Sequence, residues 1–108
     1  MIEKIEQTYW VRIYSSGPIE EAKRILRKEC HREGLCVTVE PTLFIYTGGE
    51  EQGFVVGLLN YPRFPHTPDE IWGRARHVAL VLLEGCSQHS ILLQAPDKTE
   101  WITTRETP

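Results

Sequence analysis

Residues suited to chemistry crowd most closely in "NYPRFPHTPDE", residues 60–70, where Asn60, Tyr61, Arg63 and His66 share one short connection. A guanidinium can clamp a carboxylate through paired N–H bonds, and an imidazole titrates near neutral pH. A helix starting at Pro68 would turn its partly positive N-terminus toward the same place. These types together suit a small anionic ligand. The plainer reading is that the prolines fix the connection while Tyr61 and Phe64 pack beneath it. A second pairing, Tyr46 with Glu40, offers a phenol and a carboxylate for binding and proton transfer.

Other conspicuous patterns exclude more than they suggest. "IYTGGEEQGFVV", residues 45–56, sets Gly48, Gly49 and Gly53 around Glu50 and Glu51. A phosphate cradle of the P-loop type needs a lysine and a hydroxyl at fixed offsets before a helix. Here the glycines run between strands with no such lysine, and adjacent carboxylates repel phosphate. The glycines read instead as positive backbone dihedrals at a hairpin tip, and the glutamates as solvated. Cys30 and Cys36 have five residues between them, outside the spacing of zinc knuckles. Cys30 and His31 would point about 100° apart on a helix. No metal and no cofactor are therefore expected. The G-x-S-x-G motif of serine hydrolases is absent as well.

The elements that must position these groups follow from periodicity. "TYWVRIYS", residues 8–15, alternates as a strand, with Tyr9, Val11 and Ile13 on one side and Trp10, Arg12 and Tyr14 on the other. From Ile19 to Glu33 the apolar residues Ile19, Ala22, Leu26 and Cys30 recur at helical steps, and Gly34 stands at the stop. "LCVTVEPTLFIYT" and "GFVVGLLNY" read as two strands of a hairpin, with Pro41 favouring an edge. Thr67 and Glu70 match a capping box, with Pro68 at the first helical position. Ile71, Ala75, Val78, Ala79 and Leu82 then form the stripe of a second helix, closed by Gly85. "HSILLQA" and "TEWITT" are further extended pieces.

That order predicts an α+β domain of the ferredoxin-like βαββαβ type spanning residues 1–108. It has an antiparallel sheet, two helices on one face and a short extra C-terminal strand. The chain of 108 residues is one domain by size; 41% of it is hydrophobic and 25% charged, a globular balance. Its longest apolar run, Val78 to Leu83, is far short of a membrane span. With no basic-then-apolar opening segment, a cytoplasmic location and reduced thiols are expected.

Two surfaces stand out on this frame. The uncovered sheet face would show Trp10, Arg12 and Tyr14 with Phe44 and Tyr46, while Leu80 and Val81 lie off the main stripe of the second helix. Such surplus apolar surface points to a homodimer. Opposite the apolar stripe of the first helix lie Arg24, Arg27, Lys28 and His31, a docking face for an acidic protein or a nucleic-acid backbone. The plainer reading is a solvated helix face, partly neutralised by a Glu20–Arg24 pair, and it is the one exposed helices favour. The net charge of −3 does not call for nucleic acid. The expectation is a non-enzymatic, dimeric accessory protein that recognises a protein or small anionic ligand. The alternatives are a small dimeric enzyme with a pocket near residues 60–70, or nucleic-acid binding through the basic helix face.

Overall fold

The computed structural model describes residues 1–105. Strand β1 covers Trp10–Ser16, helix α1 Ile19–Glu33, β2 Thr38–Tyr46 and β3 Gly49–Leu59. Helix α2 covers Pro68–Gly85, β4 Ser90–Gln94 and β5 Thr99–Thr103. The sheet order is β2-β3-β1-β4-β5, and every neighbouring pair runs antiparallel. The first four strands thus follow the ferredoxin-like pattern that the chain order predicts; β5 forms a hairpin with β4, a pairing the chain order alone leaves open.

Alternation decides which face each strand buries. Val11 and Ile13 of β1 are fully buried, and their partners Leu58 and Val56 of β3 lie on the same side. Phe54, Ile91 and Leu93 complete the sheet's contribution to the core. Ile71, Ala75, Val78, Ala79, Leu82 and Leu83 of α2 close over it. Helix α1 adds Ala22, Ile25 and Leu26, and turns Glu29 inward where the sequence stripe pointed to Cys30. The Glu29 carboxylate is held by Arg32 at 2.9 Å and faces His77 of α2 at 3.5 Å. A nearly buried charge needs such partners, because desolvation without them is costly.

The helix ends are built as the sequence implies. Gly34 takes the left-handed conformation after α1, with φ of 67°. The Thr67 side chain accepts from the Glu70 backbone N–H, and the Glu70 carboxylate accepts in return from the Thr67 N–H. Gly85 closes α2 as its last residue, and Cys86 forms the cap.

The β2–β3 hairpin differs more. Its turn is only Thr47 and Gly48, with Tyr46 paired to Gly49. Gly48 alone among the three glycines has a positive φ, 88°. Gly53 instead sits inside β3, where a Cβ would lie 2.3 Å from the Ser15 carbonyl oxygen and 2.6 Å from the Phe44 ring. Its role is close approach, not turning. Strand β2 is an edge, so Pro41 interrupts no central ladder.

Candidate functional site

The uncovered sheet face carries a hollow of about 550 Å³. Its rim on one side is Phe44 and Tyr46 of β2, and on the other Trp101 of β5. Tyr14, Ser16, Leu92 and Gln94 from the strands between them line it as well, with Glu51 from β3. Register explains this company. Trp101 pairs with Leu92, and Leu92 pairs with Tyr14, so the three stand in a row across the sheet. Phe44 pairs with Glu51, one turn of alternation beyond the Thr42–Gly53 pair. Because Gly53 lacks a side chain, the Phe44 ring can lie against the end of β1.

Within the hollow, the Tyr46 hydroxyl donates to the Glu51 carboxylate at 3.3 Å. Loss of hydration, then the negative charge and hydrogen bond of Glu51, hold the Tyr46 phenol above its ordinary range, so it stays a donor. The Tyr14 hydroxyl donates to Gln94 over a longer 3.5 Å. Among the described residues Glu51 is the one carboxylate lining the hollow. Aromatic faces beside a single carboxylate and an amide can stack a base, hold a soft cation and hydrogen-bond a sugar. The carboxylate partner of Tyr46 is therefore Glu51 and not Glu40, which pairs with Val55 farther along the sheet.

The residues expected near 60–70 are brought together only in part. Asn60 braces the chain: its amide donates to the Gln7 carbonyl at 2.8 Å and accepts from the His66 N–H at 3.0 Å. His66 reaches Glu70 at 3.3 Å, which ties it to the cap of α2. Tyr61 and His66 line a smaller pocket. Arg63 is not among that pocket's lining residues; its guanidinium lies over the Phe64 ring, 5.2 Å from the centroid. The guanidinium that does line the pocket is Arg74 of α2.

The remaining surfaces separate in the same way. Tyr14, Phe44 and Tyr46 belong to the hollow, whereas Arg12 stacks on Trp10 at 4.7 Å. Val81 packs against the core, and Leu80 is exposed. On α1, Lys23 pairs with Glu20, and Arg24 pairs with Glu21 in place of the expected Glu20. Arg27, Lys28 and His31 are exposed. Glu29, Glu33 and His77 bring three potential metal-donor atoms within 4.8 Å of one another. Arg32 bonds both carboxylates, at 2.9 Å to Glu29 and 2.6 Å to Glu33, and so supplies the positive charge there. No helix among the described residues is long and apolar enough to cross a membrane.

No protein-family profile and no curated protein sequence matches the chain. Two solved structures share its fold from end to end. A phage SAM lyase in the apo state superimposes with a TM-score of 0.78 at 13% identity, covering 100% of this chain and 99% of that one. A phage SAM lyase in complex with S-methyl-5′-thioadenosine gives 0.68 at 11% identity, covering 100% and 98%. The expectation of a non-enzymatic accessory protein is thereby corrected. Small size and missing motifs suggested it, yet the same whole-chain architecture is that of an enzyme, the phage SAM lyase.

Proposed function

We propose that the protein is a small enzyme that takes an adenosine-linked sulfur compound, SAM or S-methyl-5′-thioadenosine, into the hollow on its open sheet face. The observation that carries this reading is the Tyr46–Glu51 pair in one hollow with the Phe44 and Trp101 rings. Aromatic faces stack a purine and attract a sulfonium, and Glu51 supplies the opposing charge. The structures of similar fold support the ligand class, since one of them holds S-methyl-5′-thioadenosine.

Release of S-methyl-5′-thioadenosine from SAM breaks one carbon–sulfur bond. The sulfur keeps the bonding pair and loses its positive charge. The departing carbon is made whole by loss of a neighbouring proton to a base, here Glu51, or by closure of the fragment's own carboxylate onto it. Neither route consumes water or a second substrate.

Incubation with SAM should yield S-methyl-5′-thioadenosine, followed by chromatography, and calorimetry should detect binding of that product. Glu51→Gln should lower kcat/KM by about 10²–10⁴-fold, the usual range for a positioned acid or base. The uncharged product should bind that variant nearly as well as wild type. Trp101→Ala should weaken product binding by the ~1–3 kcal/mol of one stacked base. Absence of binding by both compounds would remove this reading. As part of the same proposal, a second copy covers the hollow's exposed rim, where Tyr46 and Trp101 are 52% and 53% exposed. Light scattering of a strict monomer with full activity would refute that arrangement.

A further inference from the structure

At the other end of the sheet, away from the hollow, a pocket of about 250 Å³ opens between the end of α1, the end of β3 and the start of α2. Its apolar lining comes from Leu35, Leu58, Tyr61, Phe64 and Ile71. Arg74 lines the same pocket, is only partly exposed, and makes no ion pair or side-chain hydrogen bond among the described residues. Two carboxylates that could neutralise it, Glu33 and Glu70, share an adjoining hollow with it. Both are already committed, Glu33 to Arg32 at 2.6 Å, and Glu70 to Thr67 and His66. An uncommitted guanidinium at the mouth of an apolar pocket is half of a recognition pair.

We infer that this pocket binds a small carboxylate with an apolar body, its carboxylate on Arg74 and its body against Leu58 and Ile71. The volume lies just below the ~300 Å³ at which ordinary ligand pockets begin, so the occupant is smaller than a drug-sized molecule. The site is distinct from the aromatic hollow: the two share no lining residue. It stands or falls independently of the proposed SAM chemistry.

Cys36 provides the measurement, because it lines this pocket and is exposed, whereas Cys86 is buried and Cys30 only partly exposed. The rate of Cys36 alkylation by iodoacetamide is followed by mass spectrometry with phenylacetate or hexanoate at ~10 mM, tenfold above a ~1 mM Kd. Phenylethanol and hexanol serve as uncharged controls. The carboxylates should slow Cys36 labelling about tenfold while the alcohols do not. Arg74→Gln should abolish the slowing, measured against that variant's own ligand-free rate because loss of a neighbouring cation alters the thiolate fraction, and Arg74→Lys should restore part of it. Circular dichroism confirms that each variant is folded. Unslowed labelling overturns the inference, as does equal slowing by acids and alcohols or protection that survives Arg74→Gln.

Discussion

Alanine placed at each of the three hairpin glycines separates three physical causes, and Gly53→Ala is the severe case. Its new Cβ would meet the Ser15 carbonyl oxygen at 2.3 Å, the Phe44 ring at 2.6 Å and Ser16 Cα at 2.9 Å. Two of those atoms are backbone of a central strand, so relief requires β1 and β3 to move apart where Ser16 pairs with Gly53. Overpacking a core costs about 1–3 kcal/mol, and a backbone obstacle belongs at the upper end. Gly48→Ala meets nothing within 4 Å, yet holds φ at 88°, a left-handed strain of about 1–2 kcal/mol. Gly49→Ala meets only the Tyr46 ring, at 3.2 Å. That side chain can yield, and the loss of unfolded-state entropy offsets the contact, for a net change within ~0.5 kcal/mol.

Urea denaturation at constant pH reads all three. With m near 1.5 kcal/mol/M, a 3 kcal/mol loss moves the Gly53→Ala midpoint down by about 2 M, with Gly48→Ala between it and Gly49→Ala. Because Gly53→Ala must also push Phe44 aside, it should weaken S-methyl-5′-thioadenosine binding under conditions where it remains folded. A Gly53→Ala midpoint equal to that of Gly49→Ala would refute the close-approach argument. A Gly48→Ala midpoint lowest of the three would restore the turn-based one.

Three further outcomes concern the α2 cap and two titrating groups. Thr67→Ala should cost about 1 kcal/mol of stability at neutral pH through loss of the α2 cap. Bonding to the Thr67 backbone, then to its side chain and to His66, lowers the Glu70 pKa. Its stabilisation is therefore present above the ordinary carboxylate pKa of ~4.3 and fades as pH falls through the lower folded value. The penalty of Glu70→Gln, read from urea midpoints, should shrink on acidification; a constant penalty contradicts the assignment. Tyr9 moves the other way, pushed up to about 12 by burial and then by its hydrogen bond to Asp97. Its raised pKa makes that stabilisation complete below the ordinary ~10 and lost as pH climbs to the folded value. Wild type should lose more stability than Tyr9→Phe across that interval; parallel curves would acquit Tyr9.

Periodicity made most of the fold readable. The bounds of α1, the cap at Thr67 and the split of β1 into buried Val11 and Ile13 against outward Trp10, Arg12 and Tyr14 all depend on neighbours in the chain. The hollow does not. Glu51 and Glu50 look alike in sequence, and only the Tyr46–Gly49 pairing decides which one shares a face with Tyr46. Trp101 and Gln94 reach Tyr14 through a register that no local pattern encodes. The glycines misled for a related reason: Gly53 answers to a strand 37 positions earlier in the chain, at Ser16, and not to its own turn. Arg74 was hidden because a lone arginine on a helix is ordinary until its lack of a partner is visible. The signal available beforehand was the Tyr46–Glu51 separation of five residues across a tight turn, which permits a cross-strand contact.

The edge position of Pro41 bears on how copies of this protein behave when crowded. A sheet border is a row of donors and acceptors, ready to receive another strand and to pass the invitation onward as a ribbon. Proline contributes no N–H, so the row on β2 has a missing rung near its middle. A newcomer cannot zip along the full length of that border. An open-ended filament needs both borders of the sheet, so the gap on β2 steers concentrated solutions away from it even though β5 presents the other border.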